Sequence, residues 1–166
     1  MHRTSNRVAS VALIALMAIT GACGGGGDGG PTGTNGTGTG DGAMSATING
    51  TAWRSLKAAD RVSRSGTIYA VVGINLPYTV SLGIAGLTGP GTVNLNVSAG
   101  GNGSSAIVSN AVGGWGTGFT GGSGTITVTT LTANRIVGTF SFDAPAGSGA
   151  ATGTLQVRNG KFDVTF

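Results

Sequence analysis

The sequence predicts an all-β domain: a single antiparallel β-sandwich or small barrel of about nine or ten short strands. Three observations carry this. Apolar and polar residues alternate at period two in short runs, the pattern of half-buried antiparallel strands. Asn-Gly, Gly-Pro-Gly and other turn signals separate those runs. The composition also fits, with 34 glycines among 166 residues and only 8% charged. Thr, Ser, Val and Ala fill much of the remainder, which suits strands and tight turns rather than helices.

The chain divides into residues 1–22, 23–42 and 43–166. The first segment has the three parts of a secretory signal. Arg3 and Arg7 form the charged start, and Val8 to Ile19 form an apolar run broken by Ser10. At about 12 residues the run falls short of the roughly 20 that a spanning helix needs. It therefore reads as a cleaved signal. Thr20, Gly21 and Ala22 are the small residues a signal peptidase requires. Ile19-Thr20-Gly21-Ala22-Cys23 resembles the lipobox of bacterial lipoproteins, with Thr20 standing where leucine is usual. The resemblance implies cleavage before Cys23 and multiple acylation of its thiol, since a single acyl chain holds only marginally. With glycine rather than aspartate at position 24, it also implies delivery to the outer membrane. The alternative is a plainly secreted protein with an incidental thiol. Cys23 is the only cysteine, so it has no disulfide partner in cis, which favours lipid.

Residues 24–42 are almost wholly Gly, Thr, Asp, Asn and Pro, a tether that can pack no core. Its 19 residues reach roughly 25 Å. Asp28 and Asp41 lie 13 apart with no nonapeptide repeat between them, so a calcium loop is not indicated.

The strands begin at residue 43. Ala46-Thr47-Ile48, Asn49-Gly50 and Thr51-Ala52-Trp53 predict a hairpin that sets Trp53 opposite Ala46. Arg54, Lys57, Arg61 and Arg64 follow at spacings of 3, 4 and 3. On a helix they would form one basic stripe able to meet anionic headgroups. The favoured reading is a solvated face with Asp60 interleaved. Ile68, Ala70, Val72 and Ile74 share one parity while Tyr69 and Val71 hold the other, which predicts a strand covered on both sides. A turn over Asn75 to Pro77 leads to Tyr78, Val80, Leu82 and Ile84. The turn Thr88-Gly89-Pro90-Gly91 leads to Val93, Leu95 and Val97.

Residues 99–105 read as a glycine-rich loop, and Ile107-Val108 as a weak strand. Gly113 to Gly124 reads as a loop carrying Trp115 and Phe119. Its Gly116-x-Gly118-x-x-Gly121 matches a dinucleotide fingerprint only formally, because a β-like run follows where a helix is required. Ile126 and Val128 lead to Leu131, whose parity slip predicts a bulge or an early strand end. A turn near Ala133-Asn134 precedes Ile136, Gly138, Phe140 and Phe142. Ala144 to Ala151 reads as a small-residue loop. Asn159-Gly160 reads as a second hairpin turn, setting Val157 opposite Phe162 and Leu155 opposite Val164, with Arg158, Lys161 and Asp163 on the wet face. Phe166 closes the last strand.

The two ends carry a resemblance. Asn49-Gly50-Thr51-Ala52-Trp53 opens the domain, and Gly138-Thr139-Phe140-Ser141-Phe142 with Asn159-Gly160-Lys161-Phe162-Asp163-Val164 closes it. These resemble a family of uncharacterised bacterial lipoproteins, across roughly residues 44–166. The resemblance implies a small β domain and an envelope location. It implies no activity and transfers no functional residue.

Composition narrows the chemistry. Without residues 1–22 the chain holds seven basic and five acidic residues, too weak a balance for nucleic acid. That chain has no histidine and no glutamate, and its cysteine is the lipid-bearing one. The commonest general base, metal ligand and thiol nucleophile are missing, so neither catalysis nor a cofactor nor a metal is expected. Asp60, Asp143 and Asp163 are far apart in sequence, and Ser55 with Lys57 lacks the S-x-x-K spacing of a Ser–Lys dyad. The sequence therefore favours an envelope-anchored binding or interaction module whose partner is a glycan or a protein. Trp115 is its candidate contact residue and Tyr69 a second. The alternative is a barrel carrying a small hydrophobic ligand, with Phe140, Phe142, Phe162 and Phe166 lining the cavity.

Overall fold

The computed structural model describes residues 43–57, 60–95 and 103–165. The signal segment, the acylation site Cys23, the tether, Val97 and Phe166 lie outside the described residues. Within them there is no α-helix. The strands are β1 (Met44–Ile48), β2 (Thr51–Arg54), β3 (Arg61–Ser65), β4 (Ile68–Asn75), β5 (Tyr78–Ala85), β6 (Gly91–Asn94), β7 (Ser105–Ser109), β8 (Gly113–Gly116), β9 (Ser123–Leu131), β10 (Arg135–Gly149) and β11 (Thr154–Thr165). They form one antiparallel sheet that folds over on itself into a sandwich and does not close into a barrel.

The first layer runs β6-β9-β10-β11-β1-β2, and the second runs β8-β7-β5-β4-β3. Strand β10 joins them. Its first part, from Arg135 to Pro145, pairs with β11, and its end, Ala146 to Gly149, pairs with β8 through a register shift. A strand that changes layer at a bulge is how such a corner is built. The stretch 144–151, expected to be a loop, is thus mostly strand. Its small residues serve the close approach of β8 rather than a turn: a Cβ on Gly113 would stand 2.2 Å from the Ser148 carbonyl oxygen.

The opening hairpin forms as expected. Asn49 and Gly50 take the positive φ values (47° and 81°) that a two-residue turn of this kind requires. Trp53 pairs with Ala46. Its indole Nε1 donates to the Asn75 carbonyl at 2.9 Å, and Asn75 Nδ2 donates to the Arg54 carbonyl at 2.7 Å. These bonds fasten the edge of the first layer to the β4–β5 turn of the second.

Asn159-Gly160 is not a hairpin turn. β11 is one continuous strand, and Asn159 is the extra residue of a bulge in the left-handed region (φ 53°). Both neighbours register the slip. Phe140 pairs with Gly160 and Phe142 with Val157, while Ser45 pairs with Lys161 and Thr47 with Arg158. The parity change from Leu155 and Val157 to Phe162 and Val164 suits a hairpin or a bulge equally well. Ladders on both sides of β11 decide for the bulge. The second parity slip, near Leu131, is also a bulge, with Thr129 unpaired between Val128 and Thr130.

The core fills the space between the layers. Val71, Val80, Leu82, Ile84, Val108, Ile126, Val128 and Ile136 are fully buried with Phe142 and Phe162. Phe140 stacks on Phe142 and Phe162 at centroid separations of 6.0 and 6.3 Å. The three described phenylalanines of the closing strands pack together through Phe140, as core rings do. The buried side chains of the described residues form one continuous core shared by both layers.

Two buried hydroxyls finish strand ends. Ser55 Oγ accepts from the Met44 N–H and donates to the Met44 carbonyl, each at 3.1 Å. Thr117 Oγ1 accepts from the Ala106 N–H at 3.0 Å in the same way. Ser55 is therefore a ladder surrogate, its hydroxyl engaged by the Met44 backbone. Ser55→Ala leaves the Met44 N–H buried without an acceptor. Urea unfolding should show a loss of about 1–3 kcal/mol, the usual cost of such an orphan.

Candidate functional site

Trp115 and Tyr69 are both core residues. Trp115 is 7% exposed in β8, opposite Val108 and Ala146, and its Nε1 donates to the Thr152 carbonyl at 3.0 Å. Tyr69 is 2% exposed in the middle layer of side chains. Neither ring is presented to a ligand. The expectation for Trp115 rested on reading Gly113–Gly116 as loop. These glycines instead let β8 lie against β10, and the ring turns inward. The aromatic left partly exposed in that segment is Phe119, at 38%, lying over Gly147 and Gly116.

The basic stripe is not helical either. Arg61 and Arg64 sit on β3, where they fall on opposite faces. Arg61 pairs with Val72, and Arg64 pairs with Tyr69, its guanidinium carbon 5.5 Å from the ring centroid.

A continuous polar surface does exist, on the outer face of the first layer. Cross-strand partners share a face, so the registers define a row through all six strands: Thr92, Thr127, Thr139, Lys161, Ser45 and Arg54. A parallel row contains Asn94, Thr125, Ser141, Arg158 at the bulge, Thr47 and Ala52. The bulges bend this face into a shallow groove of about 620 Å³, whose lining includes Ser45, Thr47, Thr139, Ser141, Arg158 and Lys161.

The two cations of the groove differ. Arg158 is fixed: Nη1 donates to the Phe142 and Val157 carbonyls at 2.8 and 3.0 Å, and Nη2 to Asp143 Oδ1 at 2.5 Å. Lys161 makes no ion pair or hydrogen bond among the described residues, so its ammonium is available to a ligand. Thr92 and Thr127 share a hydroxyl–hydroxyl hydrogen bond of 2.9 Å. The groove offers hydroxyls and positive charge, and Trp53 and Phe140 are also among its lining residues.

The carboxylates lie elsewhere or are engaged. Asp143 is held by Arg158. Arg135 binds both oxygens of Asp163, at 2.8 and 2.6 Å. Asp163 in turn, by hydrogen bond and charge, holds the Arg135 guanidinium above its ordinary range. Asp60 Oδ2 accepts from the Ala43 N–H at 2.6 Å, while its buried Oδ1 has no partner among the described residues. Asp60 and Asp163 do line one shallow cleft, together with Lys57 and Arg61, but the lone pairs of Asp163 are directed at Arg135. Asp143 stands six residues along β10 from Val137, the partner of Asp163, a separation of about 20 Å. No group of three His, Cys, Asp or Glu among the described residues could hold a metal ion.

The fold and the groove define a small all-β sandwich protein with one polar, hydroxyl-lined face. The chain belongs to the DUF6252 family, a domain of unknown function, whose model matches residues 40–164. No curated protein and no solved structure matches it.

Proposed function

We propose that the chain is a lipid-anchored protein of the bacterial cell envelope, carried on the outer membrane by acylated Cys23. Its domain is a binding module without catalysis that holds an envelope glycan bearing negative charge. The observation behind this reading is the row Thr92, Thr127, Thr139, Lys161 and Ser45. It offers hydroxyls that can donate or accept, with one unpaired ammonium at its centre. A saccharide presents the complementary donors and acceptors, and an acidic group on it would meet Lys161.

Calorimetric titration of residues 40–166 with an acidic and a neutral polysaccharide tests this. The acidic chain should bind more tightly. Lys161→Gln should weaken it about tenfold, the value of one charge-assisted hydrogen bond. If the acidic chain does not bind, or binds Lys161→Gln equally well, the reading fails.

A further inference from the structure

We infer that the groove of the first layer takes an internal segment of a linear acidic polysaccharide, about four sugar residues laid across the strands, with an acidic residue over β11. The inference deepens the glycan reading proposed above and rests on it.

The first observation is the shape of the groove. Its lining comes from β9, β10, β11, β1 and β2, which are successive neighbours in the sheet. Strands lie about 4.8 Å apart, so the groove crosses the sheet for about 19 Å. Two rows of outward side chains wall it. Thr139, Lys161 and Ser45 form one, and Thr125, Ser141, Arg158 and Thr47 form the other. On β10 and β1 the rows stand two residues apart, about 7 Å, the width of one sugar ring. Between them lie Ala46, Trp53, Phe140 and Gly160. The first three belong to the buried core, so the floor between the walls is mostly backbone. An extended pyranose chain advances by about 5 Å per residue, close to the strand spacing, so the groove holds about four residues.

The second observation is where the charge sits. β11 is the middle strand of the five. It contributes Lys161 and Arg158, and its bulge adds the exposed Asn159. Arg158 is engaged by Asp143, which leaves Lys161 for a ligand. The flanking strands turn only uncharged residues into the groove: Thr125, Thr139 and Ser141 on one side, Ser45, Thr47 and Ala52 on the other. An acid is therefore met at the centre, with hydroxyl contacts both before and after it.

The third observation is direction. Along β11 the next outward residue past Lys161 is Asp163, whose carboxylate, held by Arg135, stands in the path of an acidic chain. Across the strands, no carboxylate lines the groove among the described residues. The ends are also open. β2 is the last strand of its layer, and beyond β9 the edge strand β6 continues the face with exposed Thr92 and Asn94. A polymer can run on past both ends, so the site reads a stretch within a chain rather than a chain terminus.

The test is calorimetric titration of the full chain, purified in detergent, with oligogalacturonates of two, four, six and eight residues. Affinity should rise about tenfold or more from two residues to four, as hydroxyl contacts are added. From four to eight it should stay within about twofold for each register that the longer chain offers. Reducing the terminal aldehyde of the hexamer to an alditol should change nothing. Thr125→Val, two strands from Lys161, should weaken the tetramer about fivefold, the worth of one neutral hydrogen bond, and leave the dimer unchanged. Lys161→Gln should weaken both. Thermal melts check that each variant is folded. The inference is overturned, with the acidic-glycan reading intact, by a dimer that binds as tightly as the tetramer. A rise that continues to eight residues, loss of binding in the alditol, or a tetramer indifferent to Thr125→Val has the same consequence. Failure of every length to bind, or equal binding by Lys161→Gln, overturns the reading itself and the inference with it.

Discussion

Gly138→Ala should destabilise the domain by about 3 kcal/mol, at the upper end of overpacking costs. A Cβ at Gly138 would stand 2.4 Å from the Thr127 carbonyl oxygen and 2.6 Å from Phe162 Cζ. One of these neighbours is the backbone of a central ladder and cannot retreat. Gly160→Ala should behave similarly, because its Cβ would stand 2.4 Å from Phe140 Cδ2. The two sites are one device. Gly138 pairs with Phe162, and Gly160 pairs with Phe140, on adjacent strands. Each phenylalanine lies over the glycine of the other strand, so the bare backbone is covered and the rings reach the core. Chemical denaturation provides the measurement, with Gly118→Ala as control, since nothing lies within 4 Å of a Cβ there. Phe140→Leu should recover part of the Gly160→Ala loss, because the three nearest atoms to that Cβ all belong to the Phe140 ring. The same change should do little for Gly138→Ala, whose clash involves Thr127.

Trp115→Ala should cost about 3–5 kcal/mol, the range for emptying a core aromatic site. The indole is buried, packed between the partners Val108 and Ala146, and its loss also removes the donor to the Thr152 carbonyl. Urea unfolding should report the full effect, and native tryptophan emission should be blue-shifted in the folded protein. A surface contact residue would behave differently. Its removal would leave stability within about 0.5 kcal/mol. A small stability change would restore Trp115 as a presented side chain and place β8 wrongly.

Much of the fold is legible in the sequence for local reasons. Period-two alternation names β4 through β6 and β9, because a strand must send alternate side chains to opposite faces. Asn49-Gly50 specifies its turn because few other residues tolerate both positive φ values. The parity slip near Leu131 announces a bulge or an early strand end, and the ladder with β10 makes it a bulge. The groove is less legible. Its polar residues are threonines, serines, Asn159, Lys161 and Arg158, the lining as a whole comes from five strands, and each polar residue alone looks like an ordinary wet position. Only the registers bring Thr92, Thr139, Lys161 and Ser45 into one row. The uncharged interval between Arg64 and Arg135 is plain in the sequence.

By itself, then, the sequence determined the all-β class, the opening hairpin and the inward parity of most strands, because these follow from side-chain period and turn chemistry within a few residues. Tertiary structure alone decided three things. It made Asn159-Gly160 a bulge, because β1 and β10 pair along β11 on both sides of it. It turned residues 144–149 into strand, because β8 supplies a partner and their small side chains admit it. It buried Trp115 and left Phe119 partly exposed, because a glycine-rich segment has no preference of its own between loop and strand. In each case the local chain allowed two conformations of similar cost, and hydrogen-bond partners distant in sequence selected one.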